Sequence, residues 1–303
     1  MNKISQLQEA LAAKRFIFTG EIEPVKTTDL TEVLETARIL KGHVVATNVT
    51  DNPTAFAYMN SLVPCYMIQE KVGLETIYQV TTRDRNRLAL VADLLAASAL
   101  GIKNVLALTG DHTTLGDNPK TRAVYDLDST QLVYMIRQMV DKGVDLESHP
   151  IHNPPKFFIG GAANLGADPI EPEAIKIEKK ASLGVDFIQT QVTYDIEAVK
   201  NFFKLTSHLK VPIIIGICPL KSLAMAEWME KNVPGVSVPP EMVERLTKAK
   251  EKGGKEAMVE ENIQIFEEFC QEIRKTTPAA GIHIMAVGFE WIVPKIIERS
   301  GVK

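Results

Sequence analysis

Carboxylates stand at the ends of two apolar segments of this chain, where they could donate or hold a proton. Glu21 and Glu23 are separated by one isoleucine, and Asp111 follows an apolar run that ends at Leu108. If the first segment is a strand, alternation places both glutamates on the same side of it. Acids inside a fold are costly unless they are solvated, paired or used in chemistry. The alternative is a surface pair near a strand end, with Gly110-Asp111 as an ordinary turn.

Amides, hydroxyls and glycines follow the other apolar segments. They are Asn48, Gln79, Thr81, Thr109, Gly160, Gly161, Asn164 and Gln191. Caps and turns use the same residue types, so each of them is ambiguous alone. The six histidines of the chain are scattered and form no His-x-x-x-His pair, and the chain has no Gly-x-Ser-x-Gly motif or P-loop. Hydride chemistry on a neutral heteroaromatic cofactor fits this set better than hydrolysis, because it needs a shaped slot, hydrogen bonds to ring nitrogens and one acid.

Eight apolar segments, nearly all followed by a helical pattern, must position these groups. They are Phe16–Ile22, His43–Val49, Glu75–Thr81, Lys103–Thr109, Lys156–Ala162, Asp186–Val192, Val211–Ile217 and Gly281–Val287. Eight β–α alternations without a linker predict a single-domain (β/α)8 TIM barrel over residues 1–303, whose strand ends meet at one mouth. An open doubly wound sheet is the alternative, but it normally needs a G-x-G-x-x-G motif, which this chain lacks.

The segment Asn232–Gly254 interrupts this alternation. It contains Pro234, Pro239, Pro240 and a Gly-Gly pair, and it predicts an irregular insertion before the last long helix and strand eight. Such an insertion could cover the mouth of the barrel as a lid, or it could be surface decoration.

The composition narrows the class of protein. The chain has 303 residues, 45% of them hydrophobic, and a net charge of −4. It contains no apolar run of the ~18 residues that a membrane span needs, and the start of the chain lacks the apolar core of a signal peptide, so a cytoplasmic protein is expected. The absence of a block of Lys and Arg argues against nucleic-acid binding. Cys65, Cys218 and Cys270 are far apart, which makes a zinc, iron–sulfur or disulfide site built by this chain alone improbable.

Ordered motifs across nearly the whole chain resemble those of the methylenetetrahydrofolate reductases, a family of flavin-dependent (β/α)8 barrels of one-carbon metabolism. The resemblance includes Glu-x-x-Pro at Glu21–Pro24, Ala-Leu-x-Gly-Asp at Ala107–Asp111, and Tyr125 a short loop later. It continues in the segment Lys180–Gln191, which is similar to Lys-x-x-x-Gly-Ala-x-x-x-x-Thr-Gln, and in the turn Gly216-Ile-Cys-Pro219.

The resemblance implies a reaction and a role for several residues. Reduced flavin would pass a hydride from N5 to 5,10-methylenetetrahydrofolate and give 5-methyltetrahydrofolate. Glu21 matches the acid that protonates N10 of the folate, Asp111 matches a carboxylate between flavin and pterin, and Gln191 matches an amide that binds the pterin. The positions that match flavin contacts are Asn48, Gln79, Thr81, Thr109, Gly110, Asp111, Tyr125, Gly160, Gly161, Asn164 and Lys180, with Lys180 as the partner of a phosphate.

The chain departs from the bacterial FAD enzymes of this family at four places. Thr109 replaces an arginine, Gln79 replaces a histidine, and Gly160-Gly161-Ala162 replaces a Tyr-Pro-Glu segment. The first and third changes remove contacts expected for the adenylate half of FAD, so FMN is an alternative cofactor. Gly288-Phe289 replaces the Asn-Arg of strand eight, which bears on how the folate glutamate tail is held.

The resemblance allows two alternative electron donors. NADH could stack on the flavin in place of folate, or a partner iron–sulfur subunit could deliver the electrons, as in the anaerobic relatives. An oligomer is expected. Two other functions share the fold: a flavin-holding electron-relay subunit, and a pterin-dependent methyltransferase-type barrel without flavin.

Overall fold

Eight parallel strands form a closed barrel in the computed structural model, which describes residues 3–302. The strands are β1 (Ile17–Ile22), β2 (Ala46–Val49), β3 (Thr76–Thr81), β4 (Asn104–Leu108), β5 (Phe158–Ala163), β6 (Phe187–Val192), β7 (Ile213–Ile217) and β8 (Gly281–Ile284). Each strand pairs with the next in sequence, and β8 closes the barrel on β1 with Thr19 opposite His283. The predicted TIM barrel is confirmed, and the open sheet is excluded.

Helices cover the outside of the barrel and one of its ends. They are α1 (Gln6–Ala12), α2 (Thr31–Leu40), α3 (Leu62–Val72), α4 (Arg87–Ala99), α5 (Ser129–Arg137), α6 (Glu171–Ser182), α7 (Ile196–Leu205), α8 (Leu223–Asn232), α9 (Pro240–Thr276) and α10 (Val293–Ser300). Side-chain caps begin several of them. Asp128, for example, accepts a hydrogen bond from the backbone N–H of Gln131 at the start of α5, and the Gln131 side chain caps in return.

The floor of the barrel is a separate apolar cluster inside the strands. Phe158 and Phe187 stack there with ring centroids 5.3 Å apart, and Leu7 of α1 closes the cluster from below. Glu75, just before β3, accepts hydrogen bonds from the backbone N–H groups of Gln6 and Leu7 at 2.7 and 2.9 Å, which anchors the N-terminus of α1. The bottom of the barrel is therefore packed, and the open end lies at the carboxyl ends of the strands.

The predicted irregular insertion 232–254 is wrong for most of its length. Only residues 233–239 are irregular, because Pro240 begins the helix α9, in which Gly253 and Gly254 alone leave helical backbone angles. The physical reason is that a proline in the first turn of a helix costs no hydrogen bond, so Pro239-Pro240 marks a helix start. Met242 and Leu246, one turn apart, then bury the inner face of that helix.

No helix within residues 3–302 is long and apolar enough to cross a membrane.

Candidate active site

A cavity of about 900 Å³ opens at the carboxyl ends of the strands. Its wall includes ten of the residues that the sequence singled out: Glu21, Glu23, Gln79, Thr81, Thr109, Gly110, Asp111, Asn164, Lys180 and Gln191. Apolar side chains such as Leu106, Met225 and Met229 make up much of the rest of the wall. The cavity lies within the size range of small-molecule sites and combines an apolar wall with a few polar groups.

Glu21, at the end of β1, is held by two donors. Gln79 donates from Nε2 to Glu21 Oε2 at 3.2 Å, and His283 Nε2 lies 3.3 Å from the same oxygen. The remaining oxygen, Oε1, makes no hydrogen bond with any residue that the structure describes. Glu21 thus keeps a fixed carboxyl with one free oxygen at the cavity wall.

His283 is a site residue that the sequence did not reveal. It lies in β8, is fully buried, and its Nδ1 lies 2.9 Å from Thr19 Oγ1. The Asn48 side-chain nitrogen Nδ2, which can only donate, lies 3.4 Å from the same Nδ1. Nδ1 is therefore the acceptor, the ring proton sits on Nε2, and His283 donates to Glu21. Its alternation with Ile282 and Ile284 in an apolar strand was the available signal.

Three amides continue this network across the barrel interior. Asn48 accepts from Gln79 Nε2 at 3.3 Å and donates from Nδ2 to Gln189 Oε1 at 3.0 Å. Gln189 was not predicted, and it lines the cavity next to Gln191. Asn48 is fully buried beneath these residues and does not line the cavity.

Glu23, at the mouth of the barrel, has a strongly raised pKa. Burial, reinforced by the neighbouring charges of Glu21 and Glu290, raises the pKa of Glu23 to about 7, and Lys221 opposes the shift. Glu21 and Glu23 both reach the cavity, as expected from their alternation in the strand.

Asp111 lies at the rim, where loops from three strands fasten it. Its carboxylate accepts the backbone N–H of Thr54 at 2.9 Å, and its carbonyl accepts from Arg83 Nη1 at 3.1 Å and from the Tyr125 hydroxyl at 3.3 Å. Thr54 has a φ of +52°, which a β-branched residue rarely adopts. Such strain at a mouth is typical of functional sites. Tyr125 supports Asp111 from outside the cavity wall.

Asp51 and Arg85 form a buried ion pair behind Thr81. The Asp51 side chain is fully buried and pairs with Arg85 Nη1 at 2.7 Å, while it accepts the Thr81 backbone N–H at 2.8 Å and its hydroxyl at 2.9 Å. Arg85 also binds Asp93 at 2.8 Å, and these partners outweigh burial and raise the pKa of its guanidinium. Neither was singled out from the sequence, and together they fix the end of β3.

Lysines gather at the other end of the cavity, on α6. Lys176, Lys179 and Lys180 all line it, and Lys180 is 5% exposed with its Nζ donating to the Ala162 carbonyl at 2.6 Å. Burial lowers the pKa of Lys180. Within the described residues, Lys180 forms no ion pair, so this buried cation keeps donors for an anionic ligand.

The loop after β5 meets the loop after α8 beside this end. Asn164 donates from Nδ2 to the Pro234 carbonyl at 3.2 Å. A Cβ placed on Gly166 would lie 1.7 Å from the Gly235 carbonyl oxygen, so the two loops touch backbone to backbone. The short irregular segment 233–239 therefore borders the mouth.

Gly160 and Gly161 do not line the cavity. A Cβ on Gly160 would lie 2.3 Å from the Phe187 ring, and one on Gly161 would face Lys180 Cδ at 3.2 Å on the outer side of the strand. The structure thus gives both glycines packing neighbours at β5 rather than a place at the cavity surface.

The residues present fit a flavin. The buried Lys180, with Lys176 and Lys179 beside it, suits a phosphate, and the apolar and amide-rich wall suits a flat heterocycle with ring nitrogens. Among residues 3–302, no three His, Cys, Asp or Glu side chains are grouped so as to hold a metal ion. All three cysteines are buried, and burial raises the pKa of the Cys65 and Cys218 thiols to about 12.

Comparison with known proteins shows the family. The family model described as methylenetetrahydrofolate reductase matches residues 6–301. This chain belongs to the methylenetetrahydrofolate reductase family. It is 26% identical to methylenetetrahydrofolate reductase 2 of Schizosaccharomyces pombe over 249 residues, which are 78% of this chain and 37% of that protein. It is 22% identical to 5,10-methylenetetrahydrofolate reductase of Pectobacterium carotovorum, covering 79% of this chain and 81% of that protein.

The chain spans little more than a third of the fission-yeast relatives that it matches. Among solved structures, EDTA monooxygenase from Chelativorans sp. BNC1 aligns over 95% of this chain and 93% of its own, with a TM-score of 0.57 and 10% identity. At this identity the likeness shows the shared barrel fold.

Proposed function

We propose that this protein reduces 5,10-methylenetetrahydrofolate to 5-methyltetrahydrofolate with a bound flavin. Membership of the methylenetetrahydrofolate reductase family supports the substrate class. The observation that carries the proposal is the meeting of Glu21, Asp111 and Gln191 at one cavity, although Glu21 lies in β1, Gln191 in β6 and Asp111 in the loop after β4. A proton donor, a carboxylate and an amide around one slot are what the reaction needs.

Glu21 supplies the proton in this proposal. The methylene bridge of the substrate opens when N10 is protonated, and the free oxygen of Glu21 faces the cavity where the folate would bind. Gln79 and His283 hold the other oxygen, so the carboxyl does not need to reorganise before the transfer.

Asp111 and Gln191 bind and orient the substrate. A carboxylate at the rim stabilises the positive charge that develops on the opened substrate, and Thr54 and Arg83 fix its position. Gln191 can donate and accept, as recognition of a pterin edge requires.

A reduced flavin bound here would supply the hydride to the one-carbon unit. Lys180 would hold its phosphate, with Thr81, Thr109, Gly110 and Asn164 along the wall. The lysines can bind one phosphate group, but Thr109 offers no positive charge to a second phosphate. The wall therefore suits FMN, which has one phosphate, at least as well as FAD, which has two.

The test begins with the purified protein. We expect an absorption band near about 450 nm that a reduced viologen bleaches and that methylenetetrahydrofolate restores, with methyltetrahydrofolate identified by mass. Heat release of the cofactor followed by mass determination decides between FMN and FAD. Titration with NADH, with and without co-purifying proteins, identifies the donor. A protein that stays colourless after incubation with either flavin contradicts the proposal. A flavin that cycles without folate turnover indicates an electron-relay subunit.

A further inference from the structure

The amide network beneath Glu21 has a direction. Gln79 uses Nε2 for both Glu21 and Asn48, so its carbonyl points away from them. Asn48 accepts from Gln79 with Oδ1 and donates with Nδ2 to Gln189 Oε1. Asn48 thus turns its donor side toward Gln189 and its acceptor side toward Gln79, and this acceptor keeps Nε2 of Gln79 on the side of the Glu21 carboxyl.

This direction has a consequence for Glu21. Its Oε2 receives a donor from Gln79 and a second from His283, which leaves no acceptor near Oε2 for a carboxyl proton. A proton on Glu21 must then reside on Oε1, the oxygen that faces the cavity. If the side-chain amides of Asn48 and Gln79 rotated by 180°, Gln79 would present its carbonyl to Oε2, and the proton would be drawn to Oε2 instead of Oε1.

We propose that Gln189 is a positioning residue, which through Asn48 and Gln79 assigns the transferable proton of Glu21 to Oε1. Gln189 does this because its Oε1 is the acceptor that fixes the orientation of Asn48. Without that acceptor, Asn48 Nδ2 keeps only the longer 3.4 Å approach to His283 Nδ1, and the amide is free to rotate. The use of this proton in catalysis rests on the proposed reductase function, whereas the orientation of the amides does not.

Few other groups near Glu21 could determine which of its two oxygens carries the proton. Glu23, just after β1, has a raised pKa of its own, and Lys221 and Glu290 face Glu23 from the loops after β7 and β8. Cys218, after β7, is buried with a pKa raised to about 12, so it stays a thiol at neutral pH. His283 is the only other side chain bonded to Glu21 within the described residues.

The experiment compares two substitutions at one position. Gln189→Met keeps the length of the side chain and removes the amide acceptor. Gln189→Glu keeps an oxygen that accepts from Asn48, so it preserves the direction of the chain.

The first readout is the chemical shift of the Gln79 side-chain amide protons. It is measured by 15N-edited NMR on the cofactor-loaded protein without folate. We expect the Gln79 amide proton to resonate downfield in the native protein, where Nε2 donates to the Glu21 carboxyl, and to shift upfield in Glu21→Gln. Gln189→Met should abolish the downfield position, and Gln189→Glu should retain it. An unchanged Gln79 resonance in Gln189→Met, or identical spectra of the two variants, overturns the proposal.

The second readout is single-turnover reduction of methylenetetrahydrofolate. We expect Gln189→Met to be slower by about tenfold, since the acid then carries its proton on the wrong oxygen, and Gln189→Glu to recover part of the rate. Flavin reduction by viologen should be equal in both variants. Because the NMR readout needs no folate, it tests the orientation of the amides even if the protein does not reduce folate. If the amide orientation proves wrong, the proposed reductase function is unaffected.

Discussion

The carboxylate of Glu21 and the imidazole of His283 face each other across the seam that closes the barrel. Their Oε2 and Nε2 atoms lie 3.3 Å apart, on β1 and β8, although 262 residues separate them in the chain. Thr19, two residues before Glu21, holds the other nitrogen of the ring. A buried histidine that donates to a cavity-facing acid is positioned to fix the direction in which that acid gives its proton.

Glu21→Gln separates the two half-reactions. The amide cannot deliver a proton to N10, so we expect flavin reduction to proceed and folate reduction to fall by about a hundredfold or more. Stopped-flow absorbance measures both steps. Glu298→Gln, on the outer surface of α10, is the control and should behave as the native protein. Normal folate turnover in Glu21→Gln would remove this residue from the mechanism.

Substitution of His283 tests whether Glu21 depends on its neighbour. Gln at this position can still donate through Nε2, whereas Leu cannot and also removes the partner of the Thr19 hydroxyl and one of the contacts of Asn48. We expect His283→Leu to reduce the folate step by about tenfold and to destabilise the fold by about 1–3 kcal/mol, with His283→Gln intermediate. Single-turnover kinetics and chemical denaturation measure the two effects. Equal folate rates in both variants would show that the donor at Oε2 is dispensable.

Glu23 makes stability depend on pH. Its pKa of about 7 in the folded protein lies above the reference of 4.5, so the folded state binds this proton more tightly than the unfolded state. The resulting cost is absent below pH 4.5, grows as the pH rises toward 7 and is complete above it. We expect Glu23→Gln to raise the free energy of unfolding at pH 8 by about 1–3 kcal/mol and to change it little at pH 4.5.

Thermal unfolding at the two pH values, at matched cofactor loading, measures this difference. Glu32→Gln, an exposed residue of α2, serves as the control and should show no such pH dependence. An equal effect of Glu23→Gln at both pH values would contradict a proton bound by burial.

Lys180→Met tests the phosphate end of the cavity. Because the buried ammonium forms no ion pair within residues 3–302, its removal should cost flavin binding more than it costs the fold. Loss of a charge-assisted hydrogen bond predicts a Kd that is about ten- to a hundredfold higher. Fluorescence titration of the cofactor-free protein measures this, with Lys248→Met on the exposed face of α9 as the control. Unchanged flavin affinity would place the phosphate elsewhere.

The ion pairs of Arg85 and Arg87 offer a matched test of burial. Arg85→Met leaves the fully buried Asp51 carboxylate without its cationic partner and should destabilise the fold by about 3–5 kcal/mol. Arg87→Met breaks a partly exposed pair with Asp126 and should cost less than about 1 kcal/mol. Chemical denaturation of both variants gives the comparison. Similar losses would mean that Asp51 finds other compensation, for instance from the Thr81 hydroxyl.

The barrel and its mouth were predictable because buried parallel strands appear as short apolar runs, and the groups that follow them converge. That is why Glu21, Asp111 and Gln191 could be expected at one place. His283 could not, since a lone histidine between isoleucines has the pattern of a core residue until β8 is known to pair with β1. Asp51 resembled a turn residue for the same reason, because Arg85 reaches it only in three dimensions.

Two other expectations were wrong because of packing between residues that are distant in the sequence. Pro239-Pro240 suggested irregular chain, but the proline begins a helix whose inner face is buried by residues further along. The glycine pair at Gly160 suggested space for a ligand, but the space at Gly160 is taken by the Phe187 ring from the neighbouring strand.

The contact between Gly160 and Phe187 shapes the packing on which the cavity rests. A Cβ at position 160 would lie 2.3 Å from the Phe187 ring, so only a hydrogen atom there lets that ring stack on Phe158. Leu106, opposite Gly160 in β4, belongs to the same apolar cluster and lines the cavity. A methyl group added at position 160 would thus disturb the cluster that supports the chamber, although residue 160 itself never meets the chamber's contents.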